Sequence, residues 1–193
     1  MRYLIIGAFV VMVIAQWFVP VSMIMGQEET ISNGVEYRFK TRPIDPSDPF
    51  RGKYITLQFE AEIFLPSDTN QASFEKNQEV YATLIPDSAG FAQIAYLTAE
   101  PPQDLDAYIP ATVSYSYVYD GKANVTLDFP FNRFYLEESK ASEAEQLVWR
   151  NRLDTGTVTY AKVMVGKGKA SLTDVMVNDS SIVDVIRRIN KNR

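Results

Sequence analysis

The 193 residues include neither cysteine nor histidine. This removes disulfides, thiol nucleophiles, Cys or His zinc sites and Ser-His-Asp triads. It also removes a lipidated cysteine. The chemistry left rests on hydroxyls, lysines and carboxylates. A Ser/Lys dyad stays open, since it needs no histidine. Glu60/Glu62 and Glu137/Glu138 are pairs of the type that serves glycoside chemistry. Asp45 and Asp48 could offer oxygen ligands to Ca²⁺, although no EF-hand spacing accompanies them. Tyr115, Tyr117 and Tyr119 could form a stripe for a sugar or peptide, but such stripes are more often half-buried sheet packing. No cofactor is expected.

Charge argues against one partner class. Net charge is −5. Arg187, Arg188, Lys191 and Arg193 crowd the C-terminus without an acid. Without those four and Arg2, 14 basic residues face 24 acidic ones. That is the wrong sign for a nucleic-acid binder, which must neutralise phosphates. The basic tail could meet an acidic partner or anionic lipid. The simpler reading is that cations suit the end of a terminal helix.

Residues Tyr3 to Met25 carry no charge, and Gln16 and Ser22 are their clearly polar side chains. About 20 apolar residues span a bilayer core as a helix. Trp17, Phe18 and Pro20 mark its approach to the far interface. Arg2 should stay on the cytoplasmic side, leaving the rest of the chain outside. A cleaved signal peptide competes with this reading. Large residues fill most cleavage positions of Val21-Ser22-Met23-Ile24-Met25-Gly26, and the run is long for a signal core. An uncleaved anchor over residues 1–26 is therefore favoured, with a linker over 27–34 and one domain over 35–193.

The elements that must position the remaining candidates read as strands. From Lys53 to Ile63, Ile55, Leu57, Phe59, Ala61 and Ile63 alternate with Tyr54, Thr56, Gln58, Glu60 and Glu62. This predicts one long strand with a buried and a wet face, the two glutamates being simply solvated. Val35 to Phe39 predicts another. Glu79 to Ile85 and Phe91 to Leu97 flank the turn Pro86-Asp87-Ser88-Ala89-Gly90. Ala111 to Tyr119 and Ala123 to Phe129 flank Asp120-Gly121, with Val113, Tyr115 and Tyr117 expected on one face. Thr157–Val165 and Lys169–Val177 flank Gly166-Lys167-Gly168. A helix is expected over Ser139 to Arg152. Another is expected behind Ser180 or Ser181 as cap, with Ile182, Val185, Ile186 and Ile189 on its stripe. The fold class is mainly β with one or two helices, a small antiparallel sandwich or barrel behind an N-terminal transmembrane helix.

Thr41 to Phe59 reads TRPIDPSDPFRGKYITLQF. Prolines hold its first half extended or turned. Asp45 and Asp48 can cap local N–H groups, Arg51 is a five-donor fork, and Gly52 permits close approach. A rigid structural corner and a partner-binding loop both fit. This block resembles the GDYXXLXY proteins, membrane-anchored bacterial proteins of unknown biochemical role. Their naming motif aligns with Gly52-Lys53-Tyr54-Ile55-Thr56-Leu57-Gln58-Phe59. Lys53 replaces the family Asp, and Phe59 the final Tyr. A second block, Asn132-Arg133-Phe134-Tyr135-Leu136-Glu137-Glu138, resembles the family's basic and aromatic segment ahead of an acidic turn. The resemblance implies a companion of a polytopic membrane protein in a bacterial periplasm.

A second resemblance points elsewhere. Signal peptidases also carry an N-terminal anchor, a β-rich outer domain and a Ser-Met pair just after the membrane. Here Ile24-Met25-Gly26 follows Ser22-Met23 where a Pro-Thr pair would stand, and Phe91 to Leu97 holds no lysine. The reading adopted is non-catalytic: a single-pass, N-in interaction module beside another integral membrane protein. Asp45, Asp48, Arg51, Gly52, Tyr54, Leu57 and Phe59 form its first candidate surface. Asn132, Arg133, Tyr135 and Glu137 form its second. A membrane-anchored Ser/Lys hydrolase and a cleaved periplasmic binding domain are the alternatives. The sequence leaves the oligomeric state open.

Overall fold

The computed structural model describes residues 2–42, 54–66, 74–119, 122–135 and 157–191. Helix α1 spans Arg2–Asn33 and contains Pro20. Its large apolar side chains, from Phe9 and Val11 to Trp17, Met23 and Met25, are exposed all round. Such a helix has no polar side to turn to water. Its Ile6–Asn33 portion is long and apolar enough to cross a membrane. The residues expected to form a linker continue this helix to Asn33. The Thr30 carbonyl accepts the Gly34 N–H at 2.9 Å. A side chain at Gly34 would collide with the carbonyls of Thr30 and Val165. Glycine is what lets the helix end press against the sheet.

The rest is mainly β. Strand β1 is Val35–Arg42, β2 Tyr54–Thr56, β3 Gln58–Phe59 and β4 Ile63–Phe64. They are followed by β5 Glu79–Pro86, β6 Ala92–Thr98, β7 Tyr108–Tyr119, β8 Lys122–Asp128 and β9 Arg133–Tyr135. The last are β10 Thr159–Gly166, β11 Lys169–Val177 and β12 Ser180–Ser181, with helix α2 over Ile182–Lys191. One sheet runs β12-β11-β10-β1-β3, another β4-β8-β7-β5-β6, and β2 with β9 makes a separate ribbon. All these strand pairs are antiparallel. At one seam the chain passes from β3 through a 3₁₀ turn, Glu60–Glu62, into β4 of the other sheet. At the other, a single parallel bridge links Arg38 to Phe91. The sheets thus curl around one core, the barrel-like arrangement that strand spacing suggested.

That core is aromatic at one end. Phe39 meets Phe59, Phe129 and Phe131 at ring-centroid distances of 5.6, 5.8 and 5.2 Å. Their edge-to-face angles suit the ring quadrupoles. Val80, Ile109, Val113, Val125 and Leu127 fill the second sheet's inner face, Val163 and Val175 the first's, and Ile182 and Ile186 of the last helix join the same core. The expected hairpins form. Asp87 Oδ1 accepts the N–H groups of Ala89 and Phe91, both at 2.8 Å, which fixes the β5–β6 turn. Pro110 pairs with Tyr81 of β5 in a part of β7 that β8 has not yet joined, so its missing N–H costs no ladder bond.

Two expectations need correction. The single strand over residues 53–63 is instead β2, β3, the 3₁₀ turn and β4. Alternation holds through Phe59 and then inverts: Glu62 is buried, Ile63 is exposed and Phe64 is buried. The three-residue turn breaks the period of two. Second, β7 carries a bulge between Val113 and Tyr115. Val113 pairs with Leu127 and faces inward, whereas Tyr115 pairs with Thr126 and faces out, followed by Tyr117. One extra residue turns the following side chains to the other face. The last helix starts directly behind Ser181 as expected; Ser180 and Ser181 form β12, and the Ser181 hydroxyl donates to Asp174 Oδ1 at 3.0 Å. The helix expected over 139–152 and the Asp120-Gly121 turn lie outside the described residues.

Candidate functional site

The two candidate surfaces meet as one ribbon. Strands β2 and β9 pair Tyr54 with Tyr135, Ile55 with Phe134 and Thr56 with Arg133. The Leu57 N–H donates to the Asn132 carbonyl at 2.7 Å. Extended backbone gives the ribbon two chemically distinct faces. Ile55, Leu57 and Phe59 point into the core, Leu57 at 2% exposure and Phe59 at 0%. Tyr54, Thr56, Arg133 and Tyr135 share the outer face. The Arg133 guanidinium sits 5.1 Å from the Tyr54 ring centroid. The Tyr54 and Tyr135 rings are 5.5 Å apart. This is an aromatic pair capped by a cation, and Tyr135 is 65% exposed. It can stack on flat or apolar groups and donate hydrogen bonds from a guanidinium and two phenols.

Leu57 and Phe59 are therefore packing residues, while Tyr54, Arg133 and Tyr135 are available for contact. Asn132 serves through its backbone carbonyl. Asp45, Asp48, Arg51, Gly52 and Glu137 lie outside the described residues.

The carboxylates of the 3₁₀ turn are engaged in ion pairs. Glu60 pairs with Lys40 at 3.0 Å near the surface. Glu62 is buried, not solvated as the alternation predicted, and binds Arg42 Nη2 at 2.9 Å. Burial raises its pKa above the ordinary carboxylate value. The hydrogen bond from Arg42, a backbone hydrogen bond at Phe59 and the Arg42 charge oppose this, and the Asp128 charge adds to it. Arg42 Nε is buried without a hydrogen-bond partner. Ser22 lies within α1, and its hydroxyl donates to the Val19 carbonyl at 2.8 Å. Among the described residues no group of three acidic side chains is placed to hold a metal ion.

One feature was seen in the sequence only as a tyrosine stripe, and a second escaped it. On the outer face of β4-β8-β7, Ile63 pairs with Thr126, which pairs with Tyr115. Tyr117 lies 5.5 Å from Tyr115, and Leu65 is exposed just beyond β4. The bulge and the 3₁₀ turn create this apolar face, and alternation alone signals neither. The second is a cleft of about 150 Å³ where α1 meets the β10–β11 hairpin.

No curated protein and no solved structure matches this chain. A family model described as GDYXXLXY protein matches residues 16–175, from the helix through most of β11. That span includes the motif strand and the β9 block that pairs with it, and the chain belongs to the GDYXXLXY family.

Proposed function

We propose that this protein is a non-catalytic interaction module, anchored by α1 in a bacterial cytoplasmic membrane with its β domain outside. Its partner is a polytopic integral membrane protein. The carrying observation is the outer face of the β2–β9 ribbon, where Tyr54, Arg133 and Tyr135 converge. Tyrosine and arginine are the residue types that dominate protein–protein contact energies. Backbone pairing and buried Ile55, Leu57 and Phe59 hold the face in place. Little conformational entropy is then lost on docking. Arg2 ahead of the apolar run, with no other charge until Glu28, supports the N-in orientation.

The test is site-specific photo-crosslinking in intact cells. A photoreactive amino acid replaces Tyr135 in one strain and the exposed Gln93 of β6 in another. The expected result is one integral-membrane adduct from position 135, absent from position 93 and lost when Arg133→Ala is added. Equal adducts from both positions, or none from either, would overturn the reading.

A further inference from the structure

The apolar run Tyr3 to Met25 holds 23 residues, about 35 Å of helix at 1.5 Å per residue. The hydrocarbon core is about 30 Å thick. Gly26 therefore leaves it at the level of the headgroups. At that level α1 lies against the β10–β11 hairpin. The lining of the cleft between them includes Gly26, Thr30, Gly34 and Val165. Its charged rim is Glu29, Asp106, Lys167 and Lys169. Gly26 leaves open the space into which the Lys169 ammonium reaches; a Cβ there would meet Lys169 Nζ. Lys167 Nζ pairs with Glu29 at 3.3 Å, both well exposed. Among the described residues no ion pair involves Lys169 or Asp106. Two cations and two anions thus line a small cleft on the headgroup side of a membrane-spanning helix.

The geometry points to a binding site for one zwitterionic phospholipid headgroup that carries a primary ammonium. Lys169, with Lys167, takes the phosphodiester, and Asp106, with Glu29, takes the ammonium. The inference rests on α1 being embedded in a bilayer. An anionic lipid without an amine satisfies only half of the rim and is repelled by its carboxylates. The rest of the domain is acidic, with 24 acidic against 19 basic residues in the whole chain. At this mixed-charge rim the domain can approach phosphates without a net like charge.

The test uses the full chain in nanodiscs of phosphatidylcholine alone, or with either phosphatidylethanolamine or phosphatidylglycerol. Native mass spectrometry then counts the lipid retained. Phosphatidylethanolamine should be retained about tenfold over the other two, the scale of one charge-assisted hydrogen bond. Asp106→Asn should abolish that preference, and Lys169→Gln should lower retention of all three lipids. Both side chains are exposed, so the thermal midpoint should hold. Equal retention of all three lipids, or preference for phosphatidylglycerol, overturns the site. So does displacement by millimolar inorganic phosphate, which would make free phosphate the ligand. If Lys169→Gln lowers the midpoint and leaves retention unchanged, the lysine only packs against the helix at Gly26, and the site is again refuted. A chain that fails to enter the discs refutes the membrane span itself. A chain that enters without lipid preference refutes the headgroup site alone.

Discussion

The β2–β9 ribbon and the β4-β8-β7 face both present tyrosines to solvent, by opposite routes. In the ribbon, alternation runs unbroken from Tyr54 to Phe59, and Tyr54 is outside because Ile55 and Leu57 are inside. On the other face regular alternation would have put Tyr115 and Tyr117 inside with Val113. One extra residue at Ser114 turns them out. The 3₁₀ turn Glu60–Glu62 does the same for Ile63 on the neighbouring edge strand. In the ribbon, core packing and the contact face are locked together, since no inner residue can move without moving an outer one. On the bulged face they are separable, because a local insertion, and not the core residues ahead of it, decides which of the following side chains face out.

The comparison is broken most forcefully at Phe59. It touches Phe39, Phe129 and Phe131 with ring centroids 5.6, 6.2 and 5.5 Å away and is fully buried. Phe59→Ala should cost about 3–5 kcal/mol, the range for large aromatic truncations in a packed core. Chemical denaturation of the detergent-solubilised full chain measures it. Because core and contact face are coupled here, adducts from position 135 should fall as well. A loss under 1 kcal/mol would mean that the aromatic cluster does not anchor the ribbon.

Deleting Ser114 tests the other side. Without the bulge, Tyr115 and Tyr117 must turn inward or β7 must slip against β8. Either forces large side chains into filled space, at about 1–3 kcal/mol. Hydroxyl-radical footprinting should show both tyrosines losing reactivity. Unchanged footprints and stability would mean that another feature sets their exposure.

This contrast also explains what the sequence could reveal. Hairpins were legible because turn chemistry is local: Asp87 caps its own turn, and Gly168 with φ of 72° closes the next. The motif and the Asn132–Tyr135 block were each legible as unusual. Their pairing was not, because a strand's period says nothing about which distant strand it joins. The inverted side of Ile63 was hidden by a run in which Ile55, Leu57, Phe59, Ala61 and Ile63 alternate without fault. The weak signal was Glu60-Ala61-Glu62, three poor strand formers in succession. Arg42, which receives Glu62, lies in a flank where no pattern singled it out.

A smaller effect sharpens the ribbon's side of the comparison. Arg133→Ala removes the cation over Tyr54 and leaves the buried face untouched. An exposed cation–π contact contributes about 0.5–1 kcal/mol, so stability should fall by no more than that. Crosslinking from position 135 should nevertheless be lost. A large loss of stability, with crosslinking following it, would make Arg133 a structural residue and transfer the contact role to another surface.

The smallest effect lies at Glu62, where the regular and irregular regions join. Burial raises its pKa in the folded state, and the opposing Arg42 contacts on β1 do not cancel that, with Asp128 on β8 adding repulsion. A group whose folded pKa lies above its unfolded value stabilises the fold while protonated. That contribution is full below the ordinary carboxylate pKa and is lost as pH rises through the raised folded value. Stability of the wild type should therefore carry a downward step across that window, and Glu62→Gln should lack it. The amide keeps an oxygen acceptor for Arg42 and removes the buried charge. Denaturation midpoints of both proteins at closely spaced pH values measure the difference. If the wild type gains stability across the same window relative to Glu62→Gln, the ion pair with Arg42 outweighs burial. The 3₁₀ turn would then be held by its charge pair, and the exposure of Ile63 would follow from electrostatics instead of from backbone geometry.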